Sequence, residues 1–181
     1  MKTVMVINQK GGVGKTTIAD ELAFALERAG KKVNFLTTDP QGGSVRSDTS
    51  NSDKADFEVI DTPGFINDNL PEWCRAADMI LIPVVASSRD IEPSVRTYEV
   101  AKKEGHAPIM WVLNMYNPRG TLERDFEGWA DSEGYNIIAR IPRTAAIPQA
   151  ATLAKSVGQY RSTNKATAAF DELAAAIIKK L

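Results

Sequence analysis

Cysteine and histidine are nearly missing from this chain: Cys74 and His106 are the only ones in 181 residues. One thiol excludes a disulfide framework and a cysteine-rich zinc or iron–sulfur site within a single chain. One histidine, in the turn-like Gly105-His106-Ala107, has no sequence partner for acid–base or metal chemistry. A surplus of positive charge is lacking too. With 22 basic and 23 acidic residues, no global field draws the chain to nucleic acid, so any such contact must be local. No apolar run approaches the roughly 20 residues that span a bilayer, and the opening Met1–Asn8 is too short for a signal peptide. The chain therefore reads as cytoplasmic. Aromatic residues are sparse, and Trp73, Trp111 and Trp129 fall on separate segments, as packing residues do. There is no internal repeat and no low-complexity tail.

What is present fits one globular domain over residues 1–181 with a substantial core, since 43% of the residues are hydrophobic. Short β-branched runs alternate with helical patterns, the signature of a doubly wound α/β fold: a mostly parallel sheet flanked by helices. The strands are expected at Thr3–Asn8, Val33–Thr38, Phe57–Ile60, Met79–Val84, Pro108–Asn114 and Asn136–Ile141. Helices are expected at Thr16–Ala29, ended by Gly30, and at Ile91–Glu104, Leu122–Ser132, Ala145–Ala154 and Asn164–Leu181. The last carries Phe170, Leu173, Ala174, Ile177, Ile178 and Leu181 on one stripe. Gln41–Lys54, rich in Gly, Ser, Asn and Asp, reads as a mobile surface loop.

Between the first strand and the first helix runs Asn8-Gln9-Lys10-Gly11-Gly12-Val13-Gly14-Lys15-Thr16-Thr17. Glycines let backbone N–H groups crowd around phosphates because no side chain intervenes. Gly11, Gly12 and Gly14 supply that freedom here, Lys15 can reach the β and γ phosphates, and the Thr16 hydroxyl can ligate magnesium. The strict G-x-x-x-x-G-K-[ST] pattern fails at its first position, where Gln9 stands; the Gly11-Gly12 pair preceded by Lys10 compensates. Two carboxylates close apolar strands and can face this loop: Asp39, in Asp39-Pro40-Gln41, and Asp61, in Asp61-Thr62-Pro63-Gly64. ATP with magnesium is the expected ligand pair, and hydrolysis the expected chemistry.

These motifs, together with Pro83-Val84 and Asp90 and with Ile141-Pro142-Arg143, resemble the ParA/MinD group of deviant phosphate-loop ATPases over nearly the whole chain. The resemblance implies that Lys10 crosses a nucleotide-sandwich homodimer to the partner's phosphates. It implies that Asp39 orients the attacking water and that Asp61 holds magnesium. Asn114 is implied to read the adenine, with Pro142 and Arg143 closing the base pocket and Val13 and Thr17 completing the ATP contacts. From the residues alone, Asn114 is a strand cap. Two departures stand out: Thr37 replaces an acid that many members carry, and only a short loop separates Gln41 from Asp61. No N-terminal helix-turn-helix domain precedes the first strand, so the chain resembles the small type.

The function implied is DNA partition: an ATP-dependent dimer binds nonspecific DNA, and a centromere-binding adaptor stimulates hydrolysis. Arg140, Arg143, Lys155, Arg161 and Lys165 are the candidate DNA contacts, weighed against an ordinary solvated surface. A MinD-like membrane-recruited positioning ATPase is the alternative, with Asn117-Pro118-Arg119-Gly120 in its favour and the alanine-rich, partly acidic last helix against it. A biosynthetic ligase, a cluster-carrying ATPase and a non-hydrolysing scaffold are the remaining readings.

Overall fold

The computed structural model describes residues 1–38, 43–48, 54–64 and 69–181. Its strands are β1 (Lys2–Val6), β2 (Val33–Thr37), β3 (Phe57–Asp61), β4 (Met79–Val85), β5 (Ile109–Tyr116) and β6 (Ile137–Pro142). They form one sheet in the order β2-β3-β1-β4-β5-β6, with every pairing parallel. The central strands are apolar on both faces because helices cover both.

Alternation along β1 divides the core. Val4 and Val6 face a layer made by α1 (Lys15–Arg28), α5 (Ala146–Thr152), α6 (Val157–Tyr160) and α7 (Lys165–Lys180). Met5 and Ile7 face α2 (Leu70–Ala76), α3 (Ser88–Glu104) and α4 (Thr121–Ser132). In α1, Ile18, Leu22, Ala25 and Leu26 form the buried stripe. The helix ends at Gly30, whose φ of 79° lets its N–H return to Glu27 and that of Lys31 to Leu26. The apolar stripe of α7 is consumed in the same way, with Phe170, Leu173, Ala174 and Ile177 fully buried.

Several sequence expectations are corrected. α3 starts at Ser88 and accommodates Pro93 inside it, where the sequence placed the start at Ile91. Two short helices, α2 and α6, were not expected, although Pro71 stands in the first turn of α2 and Ser156–Gln159 forms a capping box on α6. Asn114 is no strand cap, since β5 continues to Tyr116. Within Gln41–Lys54, residues 43–48 are docked rather than loose. The Asp20 carboxylate accepts from the Ser44 hydroxyl and from the Val45 (2.8 Å) and Arg46 (3.3 Å) amides. Arg46 makes two bonds to Glu27, of 2.8 and 2.7 Å, with its guanidinium 4.5 Å from the Phe24 ring centre.

Candidate functional site

The loop from Asn8 to Gly14 leaves β1 at its carboxyl end and is fixed from beneath by Asn8. That buried side chain donates to the Pro83 carbonyl and the Ser94 hydroxyl, both at 2.8 Å, and accepts from the Lys10 amide at 2.9 Å. Sequence reading gave Asn8 no role; only the fold brings it to β4 and α3. Gly12 and Gly14 have φ of 81° and 93°, values that side-chain-bearing residues adopt at a cost. Gly14 has a second reason to lack a side chain, since a Cβ there would lie 2.2 Å from Asn114 Nδ2.

The two lysines of the loop part company. Lys15 is buried, and its ammonium donates to the Lys10 carbonyl at 3.3 Å. Lys10 leans the other way, over the Asp90 carboxylate on α3 at 3.6 Å, with 37% of its side chain exposed. Gly64, from the strand-end turn after Asp61, closes over the same loop: a Cβ there would meet Lys15 Nζ at 2.8 Å and Gly11 Cα at 3.2 Å. The loop is thus a cradle that side chains would fill.

Asp61 is fully buried in register with Val6 of β1 and Thr37 of β2, and Thr37 donates its hydroxyl to Asp61 Oδ2 at 3.5 Å. A hydroxyl therefore stands beside Asp61 where the resemblance implied an acid. Asp39 lies outside the described residues, so only Thr38, tied by its amide (2.9 Å) and hydroxyl (3.0 Å) to the Asp61 carbonyl, marks its approach. Among the described residues, no cluster of three or more His, Cys, Asp or Glu could hold a metal by itself. Thr16 is the second residue of α1 and Asp61 ends β3; a magnesium ion between them would have to take its other oxygens from phosphate and water.

Beside the loop opens a cavity of about 440 Å³ lined by residues including Gly14, Thr17, Asn114, Pro142, Arg143 and Ile147. Met115, at its rim, has φ 53° where β5 slips register against β6. The cavity brings together Asn114, Pro142 and Arg143, the three residues that the resemblance implied for the base. The Asn114 amide nitrogen, however, is engaged by the Val13 carbonyl at 2.8 Å, so the residue shapes the loop as well as the cavity.

Of the basic residues, Arg140 is paired with Glu127 and is withdrawn from the candidate set. Arg143, Lys155, Arg161 and Lys165 are exposed, and none has an ion-pair partner among the described residues. Trp111 and Trp129 pack with Phe126 and Tyr135 in the layer of α3 and α4, as packing residues. His106 lines a separate shallow pocket at the opposite end of β5.

Residues 4–157 match the model of the CobQ/CobB/MinD/ParA nucleotide binding domain. The chain belongs to this family. Its fold is shared with the septum site-determining protein MinD of Pyrococcus horikoshii, solved with Mg-ADP, at a TM-score of 0.84 and 19% identity over 99% of this chain and 96% of that one. A putative plasmid partition protein of Borrelia burgdorferi bound to AMPPNP superposes with a TM-score of 0.79 at 16% identity, over 99% of both chains. In sequence, the maintenance of carboxysome distribution protein A of Halothiobacillus neapolitanus is 27% identical over 203 residues, covering 94% of this chain and 92% of the relative. The matched family is one of nucleotide binding domains, and the glycine loop lies inside the matched residues. Among the described residues, no helix is long and apolar enough to cross a membrane.

Proposed function

We propose that the protein is an ATP-hydrolysing partition switch. It dimerises on Mg-ATP, binds DNA nonspecifically as the dimer, and is reset when a centromere-binding adaptor stimulates hydrolysis. The observation that carries this reading is the divergence of Lys15 and Lys10: one ammonium buried in its own loop, the other partly exposed, 3.4 Å from the Gly11 carbonyl and 3.6 Å from the Asp90 carboxylate. A second cation at the rim serves a phosphate presented by another molecule, which makes a second copy of the loop the natural complement.

Gly11, Gly12, Val13 and Gly14 offer backbone donors to the phosphates, Lys15 and Lys10 neutralise charge, and Thr16 with Asp61 would hold magnesium, which draws charge from the phosphate oxygens when bound. Asp39 is assigned to the attacking water. Thr17, Asn114, Pro142 and Arg143 border the base. Arg143, Lys155, Arg161 and Lys165 are the DNA contacts of this reading, and nucleoid association of the ATP form in the cytoplasm follows from it. The burial of the apolar face of α7 favours DNA over a membrane as the matrix, because that face is already spent on the core.

The decisive experiment uses Asp39→Ala, which should bind ATP without turnover. Co-sedimentation with nonspecific DNA in ATP but not ADP is the expected result. ATP-dependent sedimentation with anionic liposomes instead of DNA would overturn the choice of matrix.

A further inference from the structure

α1 carries a second buried acid whose position has no explanation in phosphate binding. Glu21 is 5% exposed, and its Oε1 accepts from the Val157 amide at 2.7 Å. Among the described residues its Oε2 is buried with no hydrogen-bond partner. A carboxylate making one bond in a dry site costs stability where a leucine would simply pack. Burial accordingly pushes its carboxyl up to about 7. A residue so costly is informative about the bond it keeps.

That bond joins two walls of one cavity. Glu21 lies one helical turn below Thr17, and Thr17 lines the cavity from α1. Val157 is the first residue of α6, which follows α5 after a four-residue connector, and α5 supplies Ile147, Pro148 and Ala151 to the opposite wall. The connector is tightly wound: Ala154 has φ 52°, and the Lys155 amide returns to Ala150 at 3.1 Å. The path from the pocket wall at Ala151 to the carboxylate of Glu21 is therefore short and leaves little slack.

We propose that Glu21 is a positioning residue for the nucleotide base, tying the α5–α6 wall of the cavity to the phosphate-binding helix so that base and phosphates are gripped at a fixed separation. This rests on reading the cavity as the base site. Ligands with and without a base separate the two ideas. Without the tie, the phosphate loop is untouched while the base wall loses its anchor.

The test measures binding of Mg-ADP and of magnesium tripolyphosphate by titration calorimetry. Glu21→Leu removes the acceptor. Val157→Pro removes the donor at a first-turn position that tolerates proline, after an extended Ser156. Each should weaken ADP about tenfold and leave tripolyphosphate within about twofold, the loss expected of one orphaned buried hydrogen-bond partner. The double variant should be no weaker than either single one, since both break the same bond. Glu21→Gln, which keeps an acceptor oxygen, should bind like the parent. If Glu21→Leu does not fold by circular dichroism, Val157→Pro and Glu21→Gln carry the test alone. Unchanged ADP binding in Val157→Pro, or parallel loss of ADP and tripolyphosphate, overturns the proposal. A parent protein that binds tripolyphosphate as tightly as ADP overturns the base-site reading beneath it.

Discussion

The ammonium group of Lys10 lies 3.6 Å from the Asp90 carboxylate, so the phosphate loop and α3 are bridged by a contact of opposite charges. A partly exposed pair of this kind contributes at most about 1 kcal/mol, little enough for a phosphate to displace. Asp90 thus competes with any incoming phosphate for Lys10. Asp90→Asn should let the ATP form dimerise at a several-fold lower protein concentration, with monomer affinity for ADP unchanged. Lys10→Ala should lose the dimer and keep ADP. Sedimentation velocity in ATP and in ADP checks both; a dimer of Asp90→Asn no tighter than the parent's removes Asp90 from this role.

Gly14 and Gly12 make a controlled comparison. Both have positive φ, but a Cβ at Gly12 meets nothing within 4 Å, whereas at Gly14 it runs into Asn114. Gly12→Ala should cost about 1 kcal/mol of stability, the backbone penalty alone. Gly14→Ala should cost roughly 2–4 kcal/mol, because the Asn114 amide must leave the Val13 carbonyl. Urea unfolding of the two variants measures the difference, and equal losses would mean that Asn114 yields freely.

Glu21 makes stability depend on pH. Its folded-state carboxyl is raised from 4.5 to about 7 by burial, against the hydrogen bond from Val157 and the charge of Arg28, with Asp20 adding repulsion. The folded chain therefore holds this proton more tightly than the unfolded one. The contribution is fully present below about pH 4.5 and is lost as pH rises through 7, a change of roughly 3 kcal/mol. Asp20 is raised in the same direction. Glu21→Gln should gain stability relative to the parent more at pH 8 than at pH 5.5. A mutant-to-parent difference that stays constant between those values contradicts the burial assigned to the group.

The Asp20 clamp should protect the backbone at Arg46. Arg46 is a trypsin site by chemistry, yet its side chain is 8% exposed and its amide is bound to Asp20. Asp20→Ala removes the acceptor of the Ser44 hydroxyl and the Val45 amide, leaves the Arg46 amide only its contact with Ser44 Oγ at 3.2 Å, and should raise the rate of cleavage after Arg46 by at least about tenfold, given about 1–3 kcal/mol of lost anchoring. Mass spectrometry of the first fragments reads the site. Cleavage at the parental rate would mean that Glu27 and Phe24 hold Arg46 unaided.

Much of this architecture is legible in the sequence because its strands are short, mostly apolar runs between helical patterns and its loop motif is local. β4, Met-Ile-Leu-Ile-Pro-Val-Val, permits little else, and the glycines between β1 and α1 declare their purpose by spacing. The short helices α2 and α6 escaped because one or two turns carry no periodicity, though Ser156–Gln159 is a readable capping box. Pro93 hid the first turn of α3, which is held by Ser87 at its start. Asn8, Asp20 and Glu21 could not be read at all: each acts on a residue 24 to 136 positions away, and no local pattern reveals such a partner.

The division of the core into two layers has a spectroscopic consequence. Trp73, Trp111 and Trp129 all belong to the layer of α2, α3 and α4, while the cavity beside Gly14 is bordered by Ile147 of the other. The sheet stands between the indoles and the cavity wall formed by α5. Intrinsic fluorescence is therefore a one-sided reporter, sensitive to loosening around β5 and α4 and nearly blind to what enters beside α5. A chromophore introduced at exposed Leu153 would make the silent half of the molecule visible.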